Sequence, residues 1–592
     1  MKKHLALAMA FLLLFSMAAC APAAEPVQTP AIETPAAAAT PSPAPTVADG
    51  AYEGVAAGFN GELKVAVTVA SGAIEKVEVL AHTESAGVAD DILAAMPELI
   101  VEEQSYAVDA LSGATFTSNA IKFAVKDALT KAGAVEGQFD TFPVHDTKEE
   151  TIDADVVVIG AGIAGLSAAI EAKEAGANVI ILEKLARMGG SSVTAGGIVY
   201  ATNSPLNGSY DNDPADMVAY YQQRANSLAD EALLTYGAEH SGETIQWLMD
   251  QGVEFKEDVV PTGLSPAKRA HYAAQGGPGV INPLKEKVKK LGIPVYLETP
   301  ATELITDASG AITGVKAESK YASYTINAKA VVMATGGFDA SQEMKALYAP
   351  DAESAACMSS VGNTGEGIVM GEKAGAATLF PGGVIGFRAV NPSIPYSRGI
   401  NGLVWAGTLA VTDEGVRFTN ETADYPVFFT KMLETGREDF YFIFDSNAAE
   451  LCDVAVAQGM GFKADTIEDL AAAAGMDAAT LKATFDRYQE LAAAGKDEDF
   501  GKASIVPLSA EGPYYAVRFK KATIGSFGGL VINTKSEVLS KNGTAIPGFY
   551  AAGECANGQF FNQEYPASGT MLSLSTTYGR TAGANAAAHA KK

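Results

Sequence analysis

Three glycines spaced Gly160-x-Gly162-x-x-Gly165 interrupt an apolar run, and a carboxylate, Glu183, follows 23 positions after the first. Glycines so spaced let a backbone turn tightly and approach a pyrophosphate, while the acid can accept ribose hydroxyls. Upstream, Asp109, Ser112, Gly113 and Thr115 stand just ahead of a segment with helical periodicity that starts near Ser118. A glycine turn before a helix N-terminus can present a hydroxyl to a phosphate, although a Ser/Thr-rich capping loop looks the same. Near the C-terminus, Tyr565-Pro566 is followed by Gly569, and Tyr425 ends the stretch GVRFTNETADY. A tyrosine taken alone is usually a core residue with a satisfied hydroxyl. Beyond Cys20, only Cys357, Cys452 and Cys555 remain, widely spaced, with six histidines and no CxxCH or CxxC cluster. No metal is expected, and redox chemistry falls to an organic cofactor.

These groups need elements to hold them. Residues 154–184 read as strand, glycine turn, helix and second strand, which turns a weak glycine pattern into a strong dinucleotide signal. Residues 49–137 read as a small α+β domain. GELKVAVTVASGAIEKVEVLAH alternates about a Ser71-Gly72 turn, and two amphipathic stretches follow. With 592 residues, 48% hydrophobic content and 59 glycines, the chain should form several α/β units. A net charge of −28 excludes nucleic acid as a partner, because phosphate backbones need a basic face. A local pocket can still oppose that field and take an anionic small molecule.

Residues 1–20, MKKHLALAMAFLLLFSMAAC, place two lysines before an apolar run too short to span a bilayer. The ending resembles a bacterial lipobox, which implies lipidation at Cys20, anchoring to the outer face of the cell membrane and a Pro/Ala-rich tether over residues 21–48. An ordinary signal peptide cleaved near Ala19 is the alternative.

DALSGATFTSNA resembles the covalent FMN motif Asp-x-x-Ser-Gly-Ala-Thr of flavin-transferase substrates, matched by Asp109, Ser112, Gly113, Ala114 and Thr115. That resemblance implies FMN joined to Thr115 through a phosphoester, with a flavin transferase as partner. Residues 150–592 resemble the fumarate reductase and succinate dehydrogenase flavoproteins. The likeness rests on Gly189, Gly190, Ser191 and Gly197 in KLARMGGSSVTAGG, Thr335 and Gly336 in AKAVVMATGGF, and Gly553 and Glu554 in GFYAAGECANG. It implies FAD rather than NAD, on a Rossmann-like domain in two pieces, residues 150–385 and 525–592. A capping domain over residues 386–524 would close on the flavin. His271, in a loop beside the flavin of relatives, is expected to be structural.

The dicarboxylate pocket of fumarate reductases is not matched. Asn391 stands where relatives have histidine, KATIGSFGG offers Ile524 and Gly525 where a histidine is expected, Tyr565-Pro566 replaces Asn-Arg, and Tyr425 replaces the proton-donating arginine. Each lost contact leaves a carboxylate short by about 2–5 kcal/mol. The replacements resemble the 3-ketosteroid dehydrogenases: Asn420, Glu421 and Tyr425 match Asn-Glu-x-x-x-Tyr, and Tyr565, Pro566 and Gly569 match Tyr-Pro-x-x-Gly. That likeness implies a carbonyl oxygen held by the Tyr565 hydroxyl and the Gly569 N–H, with Tyr425 as acid. The further supporting tyrosine of that family has no counterpart legible in the sequence.

The expected activity is therefore reduction of an electron-poor C=C bond in an unsaturated carbonyl substrate such as a 3-oxo steroid, fed by a membrane electron donor through FMN in anaerobic respiration. A reductase of acrylate-type monocarboxylates, such as urocanate or a cinnamate, is the rival, with Arg388 and Arg398 as candidates for an acidic group. A non-catalytic flavin electron carrier or ligand-binding lipoprotein is the third reading.

Overall fold

A computed structural model describes residues 47–206, 213–390, 403, 407–562 and 564–592. The leader, Cys20 and residues 21–46 of the tether, together with Asn391 and Arg398, lie outside the described residues. Among the described residues no helix is long and apolar enough to cross a membrane.

The first domain is a three-stranded antiparallel sheet, β1 (Gly50–Ala57), β2 (Glu62–Ala70) and β3 (Ala73–Ala81), covered by α1 (Asp90–Glu103) and α2 (Thr115–Lys131). Ser71 and Gly72 join β2 to β3 with φ of 53° and 77°, the two positive values that a two-residue hairpin turn matching strand twist requires. Val65, Val67, Ile92, Met96, Ile121 and Val125 bury the alternate face. Helix α2 begins at Thr115, three residues before the expected start, because Ala114 O already accepts the Ser118 N–H at 3.0 Å. Ser118 reads as a capping residue but is used inside the first turn, where its hydroxyl accepts Leu111 N at 3.2 Å and ties down the preceding loop.

The second domain is built on β4 (Lys148–Ile159), α3 (Ile163–Glu174) and β5 (Val179–Leu182). Its parallel strands run Val295–Tyr296, β5, β4, Ala322–Met333, Ala545–Ala551, with Glu537–Leu539 antiparallel at one edge. Val156, Val157 and Val158 are buried on both faces, as a helix-covered parallel sheet demands. The C-terminal helix Thr570–Ala590 lies across α3, where a side chain at Gly579 or Gly583 would collide with the Ala164 or Ala168 carbonyl.

The cap is organised by one long strand, Tyr514–Leu530. It pairs antiparallel with Phe440–Phe444, Gly461–Ala464 and Thr378–Ala389, and parallel with Ala356–Cys357. The expected limits of the cap, residues 386 and 524, fall inside two of these strands. Thr378–Ala389 and Tyr514–Leu530 run without interruption from the FAD domain into the cap, so the passage between them is a ladder rather than a loop.

Glu421, in the Asn-Glu-x-x-x-Tyr motif, is 0% exposed. It accepts Ala410 N at 3.1 Å and both Nε and Nη2 of Arg417 at 2.9 Å, with Lys502 Nζ at 3.1 Å. Arg417 also bridges to Asp497 through Nη1 and Nη2 at 3.0 and 2.8 Å. Glu421 therefore anchors the loop that carries Tyr425. Truncating one member of such a network strands the others, so Glu421→Ala is expected to cost about 3–5 kcal/mol, read as a lowered urea midpoint. An unchanged midpoint would remove the network from its anchoring role.

Candidate active site

The glycine turn between β4 and α3 assigns its three glycines different work. Gly160, at φ 102°, lies so close to Ala334 that a side chain would strike the carbonyl, and one at Gly165 would strike the Gly160 carbonyl. A Cβ on Gly162, by contrast, would meet nothing within 4 Å. That open space faces the N-terminus of α3, where first-turn N–H groups without intrahelical partners and the helix dipole suit a pyrophosphate, Ile163 N donating to Ser192 Oγ at 3.4 Å. Gly190 closes the far side, its Cβ position 3.5 Å from Gly162 Cα, and Gly189 N donates to Ala161 O at 2.8 Å. Glu183, buried just past the end of β5, accepts Ala161 N and Leu185 N at 2.8 Å each. Burial raises its pKa against those two N–H groups and the Arg187 and Lys184 charges.

The other motifs converge on the same place. Ser191 Oγ accepts Ser360 N at 2.9 Å and Asn363 Nδ2 at 3.2 Å, and Asn363 also donates to Asp339 at 3.2 Å. Thr335 and Gly336 follow the strand Ala322–Met333, with Gly336 against Asn363. Gly197 abuts Gly276, and Gly553 abuts Ala164 at the start of α3. Glu554 Oε1 accepts Ser526 N at 2.6 Å. These residues fit FAD: a phosphate space, a carboxylate for ribose, and polar groups along the path onward.

Asp339, which the sequence reading missed, is fully buried. It accepts Ser359 Oγ at 2.8 Å, Thr523 Oγ1 at 3.0 Å and Asn363, with the Cys357 thiol at 3.6 Å. Burial, and then the charge of Asp339, push Glu554 up to about 8. His271, also buried, holds Ser204 Oγ at 2.6 Å and Arg269 O at 2.9 Å, and burial lowers its pKa. A neutral, fully engaged imidazole is consistent with a structural part.

Tyr425 is the first residue of the helix Tyr425–Glu434. Asp424 caps that helix by accepting Tyr425 N at 2.9 Å, while its other oxygen accepts Gly263 N at 2.8 Å and the first also takes Ser568 Oγ at 3.3 Å. One carboxylate thus ties the cap helix to two loops of the FAD domain. The Tyr425 ring lies 6.2 Å from that of Tyr565 at 25°, and 5.5 Å from Phe387. Tyr565 is buried, and its hydroxyl accepts Met571 N at 2.7 Å, which leaves its own proton to give. Burial raises both phenols, reinforced by Asp424 at Tyr425 and by Tyr425 at Tyr565. Both are neutral donors at ordinary pH. Gly569 has φ 95°, and a Cβ there would lie 2.8 Å from Ile198 O, so only glycine fits. Among the described residues nothing accepts its N–H. Gly525, where a histidine was sought, lies 3.0 Å (Cβ position) from Glu554 Oε1 and 2.8 Å from Ile385, leaving no room for a ring.

Tandem tyrosines in AYYQQR, also missed, brace this centre: Tyr220 donates to Pro566 O at 2.5 Å and Tyr221 pairs with Thr570 Oγ1 at 3.2 Å. Arg388 is 5% exposed, with its guanidinium 4.3 Å over the Phe428 ring and Nη1 unpaired among the described residues. Burial holds it down to about 10, against Asp424 and Glu421.

In the first domain, Thr115 is exposed at the first position of the 17-residue α2. Asp109 pairs with Lys320 at 3.3 Å, and the Ser112 hydroxyl accepts Ala186 N at 3.0 Å. The exposed hydroxyl at a helix N-terminus fits a phosphoester.

Two outcomes follow from this geometry. Gly162→Ala is expected to fold normally and lose FAD, whereas Gly165→Ala is expected to lose fold stability, and FAD absorbance with thermal melting separates the two. Glu554, raised from 4.5 to about 8, binds a proton in the folded chain that the unfolded chain releases. Its contribution to stability is full below about pH 4.5 and is lost as pH rises through about 8. In FAD-depleted protein Glu554→Gln should flatten that decline, and an identical slope in the variant would assign it elsewhere.

Residues 155–572 match the FAD binding domain family and residues 58–130 the FMN-binding domain family. The chain is 31% identical to the urocanate reductase of Eggerthella lenta over 575 residues, covering 91% of this chain and 92% of that protein. It is 30% identical to the vinyl phenol reductase of Lactiplantibacillus plantarum over 489 residues, covering 73% and 96%. An open-conformation flavocytochrome c3 fumarate reductase superposes with a TM-score of 0.64 at 30% identity, over 74% of this chain and 79% of that one. The 3-ketosteroid-Δ4-(5α)-dehydrogenase of Rhodococcus jostii, bound to 4-androstene-3,17-dione, gives 0.60 at 28% identity, over 75% and 99%. With FAD and FMN domains in one chain, the protein belongs to the fumarate reductase flavoprotein superfamily and is a flavin-dependent reductase of C=C bonds.

Proposed function

We propose that the substrate is a neutral, electron-poor alkene conjugated to a carbonyl, an enone such as a 3-oxo steroid, reduced outside the cytoplasm by a lipid-anchored enzyme fed from a membrane donor. The observation that carries this reading is the pair of phenols, Tyr425 and Tyr565, whose rings stack at 6.2 Å and 25°. When bound, FAD supplies the hydride and FMN on Thr115 relays the electrons that restore it.

The residues divide the remaining work. Tyr565, its oxygen oriented by the Met571 N–H, donates to the substrate carbonyl together with Gly569 N–H. Both strengthen as the oxygen gains charge, a differential worth about 3–4 kcal/mol per donor. Tyr425 holds the proton for the α-carbon. Desolvation of the phenol, and then the half-buried Asp424 carboxylate beside it, oppose ionisation, so the proton is present across the working pH range. The vinyl phenol reductase relative is named for a substrate that carries no carboxylate, in keeping with a pocket lacking the family arginines.

Arg388 favours a second reading. A buried guanidinium with an unpaired nitrogen, on which the charge of Asp424 beside Tyr425 acts, could receive a monocarboxylate of the urocanate or acrylate type. The names of two relatives, urocanate reductase and NADH:acrylate oxidoreductase, lend weight to it.

Dithionite-reduced viologen reoxidation by enones, urocanate, cinnamates and fumarate separates the readings. Tyr425→Phe is expected to lower kcat on enones by about 10²–10⁴-fold, and Tyr565→Phe by about 10²–10³-fold. Arg388→Met should leave enone KM unchanged. If only carboxylic acrylates turn over and Arg388→Met abolishes their binding, the monocarboxylate reading replaces the enone.

A further inference from the structure

Arg187 takes no part in the chemistry above, yet it is 4% exposed and lies at the seam between the FMN-bearing loop and the loop that leads into the FAD cradle. Its Nε donates to Gly113 O at 3.2 Å. The next residue back, Ala186, donates its N–H to Ser112 Oγ at 3.0 Å and Ser112 O at 3.2 Å. Gly113 has φ 93°, and a Cβ there would come 3.0 Å from Arg187 Nε. The glycine of the attachment motif therefore also admits the arginine. Asp91–Lys285 at 2.7 Å and Asp109–Lys320 at 3.3 Å flank this seam.

The guanidinium is short of an anion. Nη1 is buried without a hydrogen-bond partner among the described residues. The two nearest acids act on it only through their charge: Glu183 is engaged by backbone N–H groups, and Asp91 by Lys285. An unpaired N–H on a buried cation is costly, and a planar guanidinium matches a phosphate oxygen. Two phosphates are candidates for it: the phosphoester on Thr115, two residues beyond Gly113, and the pyrophosphate for which the Gly162–Gly190 space is suited. The bond to Gly113 O sets the guanidinium against the attachment turn and the N-terminus of α2.

We infer that Arg187 is a phosphate ligand, supplied by the FAD domain to the FMN phosphoester on Thr115, so that flavin attachment locks the FMN domain onto the FAD domain. Arg187 is a positioning residue: it fixes where the FMN-bearing loop rests.

Hydrogen exchange of the full-length, FAD-loaded protein tests this, measured over residues 109–114 and 184–188 with FMN attached and in Thr115→Ala. Attachment should slow exchange there on the order of tenfold in the wild type. The difference should vanish in Arg187→Gln and partly return in Arg187→Lys, with FAD retained throughout. If Arg187→Gln speeds exchange equally with and without FMN, the arginine merely fills the seam and the inference fails. It fails equally if Arg187→Gln releases FAD in the Thr115→Ala background, because the phosphate is then the pyrophosphate. Should the glutamine variant not fold, the ³¹P resonance of the phosphoester decides: a shift in Arg187→Lys upholds the contact, and an unmoved signal removes it.

Discussion

The ladder between Tyr514–Leu530 and Thr378–Ala389 is the constraint on which the rest depends. Its register runs from Thr378 opposite Leu530 to Ala389 opposite Lys520, with shifts only between Leu379 and Gly383 and between Val384 and Gly386. Buried backbone groups cannot surrender such bonds without leaving orphans. The same strand therefore presents Thr523 to Asp339, Ser526 to Glu554, and Gly528 N to Asn557 Oδ1 at 2.8 Å, while its other end builds the cap sheet. Cofactor contacts and substrate cover share one backbone, and the irregularities of its partner are where it can bend.

Within that frame, desolvation is the main influence on the two site tyrosines. Tyr425 and Tyr565 lie in an aromatic setting, with Phe387, Phe527 and Phe561 around them. A buried phenol stays protonated, and Asp424 adds to that tendency while serving as helix cap and loop tie. Neutral donors can meet a growing oxyanion without pre-paying the hydration of a cation.

Local signals were legible where a short stretch determines its own shape. The Ser71-Gly72 hairpin and the strand–turn–helix around Gly160 follow from turn chemistry and periodicity. What escaped depends on pairs distant in the chain. Asp339 acquires its importance from Thr523, 184 positions on, and Arg187 from Gly113, 74 positions back. Glu421 was legible as part of a motif, but its anchoring part depends on Asp497 and Lys502. The cap limits at 386 and 524 fell inside strands because motif positions mark where a cofactor is touched, not where a sheet turns over.

The sheet order carries a consequence for synthesis. The FMN domain takes its core from residues 47–139, with Ala186 alone from beyond, so a chain emerging from its N-terminus has most of that domain early. The FAD domain cannot close in the same way: its strand Ala322–Met333 is flanked by Ala545–Ala551, and α3 is covered by Thr570–Ala590. Nearly the whole chain must exist before the Gly160 turn rests on a finished core. Such long-range parallel pairing is slow to form, so the threonine that carries FMN stands on folded protein while the dinucleotide cradle is still open chain.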